Sequence, residues 1–145
     1  LHSRVAKSNI WGLTKLGAEV HVAGPPTLLL PEMERFGVTV HYESKKAVQD
    51  ADVILTTRMR LETQDKMNLP TLDEYKRFFR IDHKLLQYAK PDAIVMHPGP
   101  IQRGIEISGG VIDSPQCIIN DQIANSVAVR MAMFYILSQM GGGLV

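Results

Sequence analysis

The stretch AEVHVAGPPTLLLPEMERFGVTVHY (Ala18 to Tyr42) changes its period twice. AEVHVAG sets β-branched residues at alternate positions and is closed by Pro25 and Pro26, which predicts a short strand. In LLLPEMERFG, Pro31 suits the first turn of a helix, where its missing N–H is no loss, and Gly37 suits the end. VTVHY (Val38 to Tyr42) alternates again. A strand, a helix and a second strand in so short a span predict a crossover joining two parallel strands, and such crossovers are right-handed.

The same alternation continues on both sides. Ala6, Ile10, Leu13 and Leu16 recur at spacings of four and three, the stripe of an amphipathic helix that ends at Gly17. After Tyr42 come a short helix near Ser44 to Asp50 and a buried strand, DVILTT (Asp52 to Thr57). A polar stretch runs from Arg58 to Pro70. Thr71 is placed to cap TLDEYKRFF, with Glu74 completing a capping box, and another helix is expected over Asp82 to Ala89. The strand AIVMH (Ala93 to His97) leads into a proline loop and an irregular segment reaching Pro115. Ile123, Val127, Met131, Phe134 and Leu137 form the stripe of a long last helix, capped by Asn120 or Asp121 and ended by Gly141 to Gly143, with Met131 and Phe134 expected in the core. The predicted fold class is α/β, a doubly wound parallel sheet with helices on both faces.

With 145 residues, 45% of them hydrophobic and 21% charged, the chain is expected to form one domain. A net charge of +1 supplies no general basic field, so neither nucleic acid nor an anionic membrane is an expected partner and any anion site must be local. No apolar run approaches the ~20 residues that span a bilayer, and LHSRVAKSN lacks the apolar stretch of a signal peptide, so a cytoplasmic location is expected. Cys117 is the one cysteine and reads as a small apolar residue rather than a metal ligand or half of a disulfide.

Ligands of doubly wound sheets sit outside the carboxyl ends of the strands, or at the start of the helix that follows. Three polar stretches occupy such places: His2 to Arg4, Thr57 to Glu62, and His97 to Pro100. Two of them carry arginine, whose fork binds a carboxylate or phosphate through two parallel hydrogen bonds, so the pair suggests a ligand with two anionic groups. Taken singly, each has an ordinary reading. A lone arginine after a strand is usually a solvated surface residue, a strand-end histidine such as His97 is usually just hydrogen-bonded, and Pro98 and Pro100 can simply end a strand.

Together the stretches resemble the aspartate carbamoyltransferase family. HSRVAKSN (His2 to Asn9) is similar to the family's H-S-R-V-A-R-S-N, HPGPIQRGIEI (His97 to Ile107) to its H-P-G-P-x-N-R-G-x-E-I, and QIANSVAVRMA (Gln122 to Ala132) to the start of its last helix. An ornithine-specific relative is expected to show H-C-L-P where this chain has His97 to Pro100. The resemblance implies that Arg4 and Arg58 clamp the two carboxylates of L-aspartate, and that the backbone carbonyls of Pro98 and Gly99 accept hydrogen bonds from the carbamoyl NH2 of carbamoyl phosphate. The implied reaction joins the two as N-carbamoyl-L-aspartate, releasing phosphate, in de novo pyrimidine biosynthesis and with no metal or organic cofactor. Proline fixes the direction of its carbonyl and adds no competing donor, so such a loop would be preorganised. On that basis Gly99→Ala is expected to be tolerated if Gly99 sits at negative φ.

Departures from the family pattern matter as well. Its R-x-Q-x-E-R reads here as Arg58, Met59, Arg60, Leu61, Glu62, Thr63, so Glu62 occupies the position that orients the clamp arginine while Arg60 replaces a glutamine. Nothing matches the family's S-T-R-T-R carbamoyl-phosphate motif, and only Leu1 precedes His2 where the family runs a strand. The expectation is therefore an aspartate-binding domain over residues 1–145, lacking its first strand, inactive alone and completed by a carbamoyl-phosphate domain on the same or another chain within a homotrimer. The alternative, resting on Arg60, is a non-catalytic assembly or binding module with the same fold. Dinucleotide binding is disfavoured because no G-x-G-x-x-G follows a strand.

Overall fold

The computed structural model describes residues 3–59 and 71–141 of the chain, so Leu1, His2, Arg60 and Glu62 lie outside the described residues. Helix α1 (Arg4–Lys15) starts where Ser3 Oγ accepts the Ala6 N–H at 3.2 Å. Strand β1 (Val20–Ala23) follows, then a 3-10 helix (Pro31–Phe36) and β2 (Val38–His41). Gly37 has φ +76°, a left-handed conformation that ends the 3-10 turn and admits glycine without a Cβ penalty. The quoted stretch is thus strand, helix, strand as expected, with a tighter helix than the 3.6 period implies.

Helix α2 (Ser44–Val48) leads to β3 (Val53–Leu55), and α3 (Leu72–Phe79) and α4 (His83–Leu86) precede β4 (Ile94–Met96). Thr71 Oγ1 accepts the Glu74 N–H at 3.2 Å and Asp82 Oδ1 accepts the Leu85 N–H at 3.0 Å, so both helices start at side-chain caps. The segment expected to be irregular contains one turn of helix, α5 (Gly109–Ile112). Its paired glycines have low helix propensity and hide it, while the fully buried Val111 anchors it.

All described strand pairing is parallel, as the crossover argument requires. β1 pairs with β2 in the register Val20 to Val38, and β3 with β4 in the register Val53 to Ile94. On the other edge of β4, the Val95 N–H donates to Gln116 O at 2.7 Å and the Ile118 N–H to Val95 O at 3.1 Å. Among the described residues no pairing joins the β1–β2 unit to the β3–β4 unit, so the ladder falls in two parts. The core divides likewise. Ile10, Leu29, Met33 and Val38 cluster under β1–β2, while Ile54, Val95, Ile107 and Val111 belong to a larger cluster under β3–β4, against which Cys117 packs. Helix α2 bridges them, touching β1, β2 and α4.

The last helix, α6 (Ile119–Gly141), corrects two expectations. Asn120 and Asp121 lie inside its first turn rather than capping it. Met131 and Phe134 are not core: they are 68% and 72% exposed, and residues 127–140 are exposed throughout. Only its beginning meets the body, through the buried Ile119 and the contact with β4. Apolar side chains then surround it on every side, the pattern of a helix that is covered in its working state.

Candidate functional site

The Thr56 N–H donates to Met96 O at 3.1 Å, so the segment ending in Arg58 and the segment beginning at His97 leave neighbouring parallel strands side by side. This is the carboxyl end of the β3–β4 unit, where such sheets place their ligands. Arg58 is half-buried, Pro98 and Pro100 are exposed, and Gly99 is half-buried.

His97 organises the start of the proline loop. It is fully buried, its N–H donates to Gln122 Oε1 at 3.0 Å, and its Nδ1 accepts the Gly99 N–H at 2.8 Å. Accepting at Nδ1 requires the neutral ring with its proton on Nε2. The ordinary reading of a hydrogen-bonded strand-end histidine therefore describes it. Burial pushes the imidazole below its usual value of 6.5, with the nearby Glu106 acting in the opposite direction. The unfolded chain takes up this proton more readily than the folded one, so the contribution to stability is full above pH 6.5 and is lost progressively as pH falls from there towards the lowered value of the folded state. His41, lowered by burial and by His21 and Lys46, acts in the same sense. Urea midpoints are expected to fall as the pH is taken from neutral to mildly acid, and His97→Gln should remove part of that slope. An identical slope in the variant would acquit His97.

The backbone of Gly99 corrects the expectation for its alanine variant. Its φ is +71°, in the left-handed region, so the condition for tolerance fails. A Cβ there would meet nothing within 4 Å, so Gly99→Ala is opposed by backbone strain of about 1–2 kcal/mol rather than by a clash.

The residue that joins these segments has no role in the motif reading. Glu106 is fully buried; its Oε1 accepts the Met59 N–H at 2.9 Å and its Oε2 accepts the Gln102 N–H at 3.0 Å. Burial, with Glu106 close by, pushes the Tyr75 phenol of α3 up to about 12. A carboxylate between Ile105 and Ile107 was the available signal, since an acidic side chain in an apolar run is either exposed by a turn or held by donors.

Arg4 comes from a different element. It is the exposed first residue of α1, which packs on β1 and the 3-10 helix. The structure brings Arg58, Pro98 and Gly99 onto one strand end and leaves Arg4 on the other unit; Arg60 and Glu62 lie outside the described residues. Among the described residues no group of three or more His, Cys, Asp or Glu could hold a metal ion, and no helix is long and apolar enough to cross a membrane.

Residues 1–137 match the family model for the aspartate/ornithine carbamoyltransferase Asp/Orn-binding domain. The aspartate carbamoyltransferase catalytic subunit of Ruminiclostridium cellulolyticum is 56% identical over 97% of this chain and 45% of its own length. That of Acetivibrio thermocellus is 52% identical over 98% of this chain and 46% of its own. Among solved structures, the anabolic ornithine carbamoyltransferase of Campylobacter jejuni superposes with a TM-score of 0.77 over 92% of this chain and 47% of its own, at 24% identity, a likeness of fold. The chain spans about half the length of the curated relatives it matches.

Proposed function

The chain belongs to the aspartate/ornithine carbamoyltransferase family, and from that premise we propose that it is the aspartate-binding domain of an enzyme carbamoylating L-aspartate. The observation that carries the reading is the adjacency, at one parallel strand end, of the Arg58 segment and the His97 to Pro100 loop. The first offers a cation to a carboxylate and the second offers backbone carbonyls in a proline-stiffened loop to an NH2 group.

The aspartate amine attacks the carbonyl carbon of carbamoyl phosphate. A C–N bond forms, the bond from that carbon to the phosphate oxygen breaks, and phosphate leaves as the amine gives up a proton. Arg58 holds one aspartate carboxylate and Arg4 the other, while the carbonyls of Pro98 and Gly99 hold the carbamoyl NH2. Placing amine and carbon side by side in this way removes most of the entropic part of the barrier. The rest of the carbamoyl-phosphate site is proposed to lie in the part of the relatives' length that this chain does not span. A cytoplasmic homotrimer serving pyrimidine synthesis is the assembly proposed with it.

The test is a hybrid joining this chain to the N-terminal half of the Ruminiclostridium relative. It should form N-carbamoyl-aspartate with saturation by aspartate and not by ornithine, and a hybrid that is folded but inert would refute the reading. Within it, Pro98→Ala frees φ and adds an N–H beside a carbonyl that must keep its direction, so kcat should fall about two- to fivefold. A change confined to the aspartate KM would instead place the loop on the amino acid.

A further inference from the structure

Glu106 divides its two carboxylate oxygens between two segments that, among the described residues, no strand ladder joins at that point. One oxygen receives the N–H of Met59, the residue after Arg58, and the other receives the N–H of Gln102, two residues beyond Pro100. With the Gln102 amide turned so that its nitrogen faces acceptors, Nε2 donates to Met59 O at 3.2 Å and to Glu106 Oε1 at 3.0 Å, closing the same link from the other side. A turn brings the carboxylate into place: the Ile105 N–H donates to Gln102 O at 3.0 Å and the Gly104 N–H to Ile107 O at 2.8 Å. A buried carboxylate is costly, and an apolar side chain would fill this volume without that cost. What an apolar side chain cannot do is hold two backbone segments at a set spacing and satisfy both their donors.

We propose that Glu106 is the positioning residue that sets the Arg58 segment against the proline loop, so that the amino acid and the carbamoyl group are presented to each other in one geometry. The inference rests on the functional reading above and extends it to a residue that touches neither substrate. Met59 is buried and its N–H is tied to Glu106, which fixes where the Arg58 side chain starts; Gln102 is tied to the other oxygen, which fixes the exit of the loop. A displacement of about 1 Å between reacting groups costs up to about 100-fold in rate. Neutralising the tie should therefore damage turnover in a protein that is still folded.

Glu106→Gln in the hybrid enzyme keeps the shape but turns an NH2 toward one of the two N–H donors. The expected result is a fall of about 10- to 100-fold in kcat/KM for aspartate, shared between kcat and KM, measured well below the variant's melting temperature. A role limited to stability would lower the melting temperature and leave both kinetic constants at the wild-type values, and that result would overturn the inference while the functional reading stands. An inert wild-type hybrid would bring down both. Should the variant not fold, hydrogen exchange in the wild-type hybrid decides: succinate, a dicarboxylate probe for the arginine side, should slow the amides of Met59 and Gln102 together. Protection of Met59 with no change at Gln102 would overturn the tie.

Discussion

Arg58→Ala in the hybrid enzyme is expected to raise the aspartate KM by about 10- to 100-fold for each hydrogen bond it removes, since a charge-assisted hydrogen bond is worth roughly 1.5–3 kcal/mol. Arg58→Lys should fail almost as badly. Lysine restores the charge but not the planar fork that meets both carboxylate oxygens at once. The position favours a large effect, because Arg58 is half-buried and its successor Met59 is held by Glu106, so the guanidinium starts from a fixed backbone. Arg4, exposed at the start of α1, has less to hold it and should show a smaller loss. If Arg58→Ala or Arg58→Lys left the aspartate KM within about twofold, the clamp would have to be assigned elsewhere.

Much of this site was legible because its parts are local in sequence. The proline loop announces itself by composition, the strand before it by its apolar run, and Thr71 caps its helix as its place ahead of Glu74 predicts. Contacts between distant segments were not legible. Met59 and Glu106 lie 47 positions apart, and nothing in either neighbourhood specifies the other. The left-handed φ of Gly99 was hidden for a different reason: glycine permits that conformation without requiring it. Periodicity misled at Met131 and Phe134, since a stripe reports which side chains avoid water and not which chain covers them.

Phe134→Asp should therefore have opposite consequences in two settings. In the chain alone, Phe134 is 72% exposed, so an aspartate there should shift the melting temperature little and reduce self-association. With the carbamoyl-phosphate half supplied as a second polypeptide, the same substitution should abolish assembly. The apolar stripe of Val127, Met131, Phe134 and Leu137 is large enough to dominate an interface, as burying each such side chain contributes about 1.5–3 kcal/mol and burying an unpaired charge costs more. Among the described residues β1, β2 and β3 each pair on one edge only, which points the same way, because an unpaired strand edge exposes donors and acceptors that another chain can satisfy. Adding the second half to the wild-type chain should raise its melting temperature in a concentration-dependent manner, as mass action requires when a partner binds only the folded state. Sedimentation and thermal unfolding of both proteins, with and without that half, separate the outcomes. Equal assembly of Phe134→Asp and wild type would mean that α6 is covered by something other than the carbamoyl-phosphate domain.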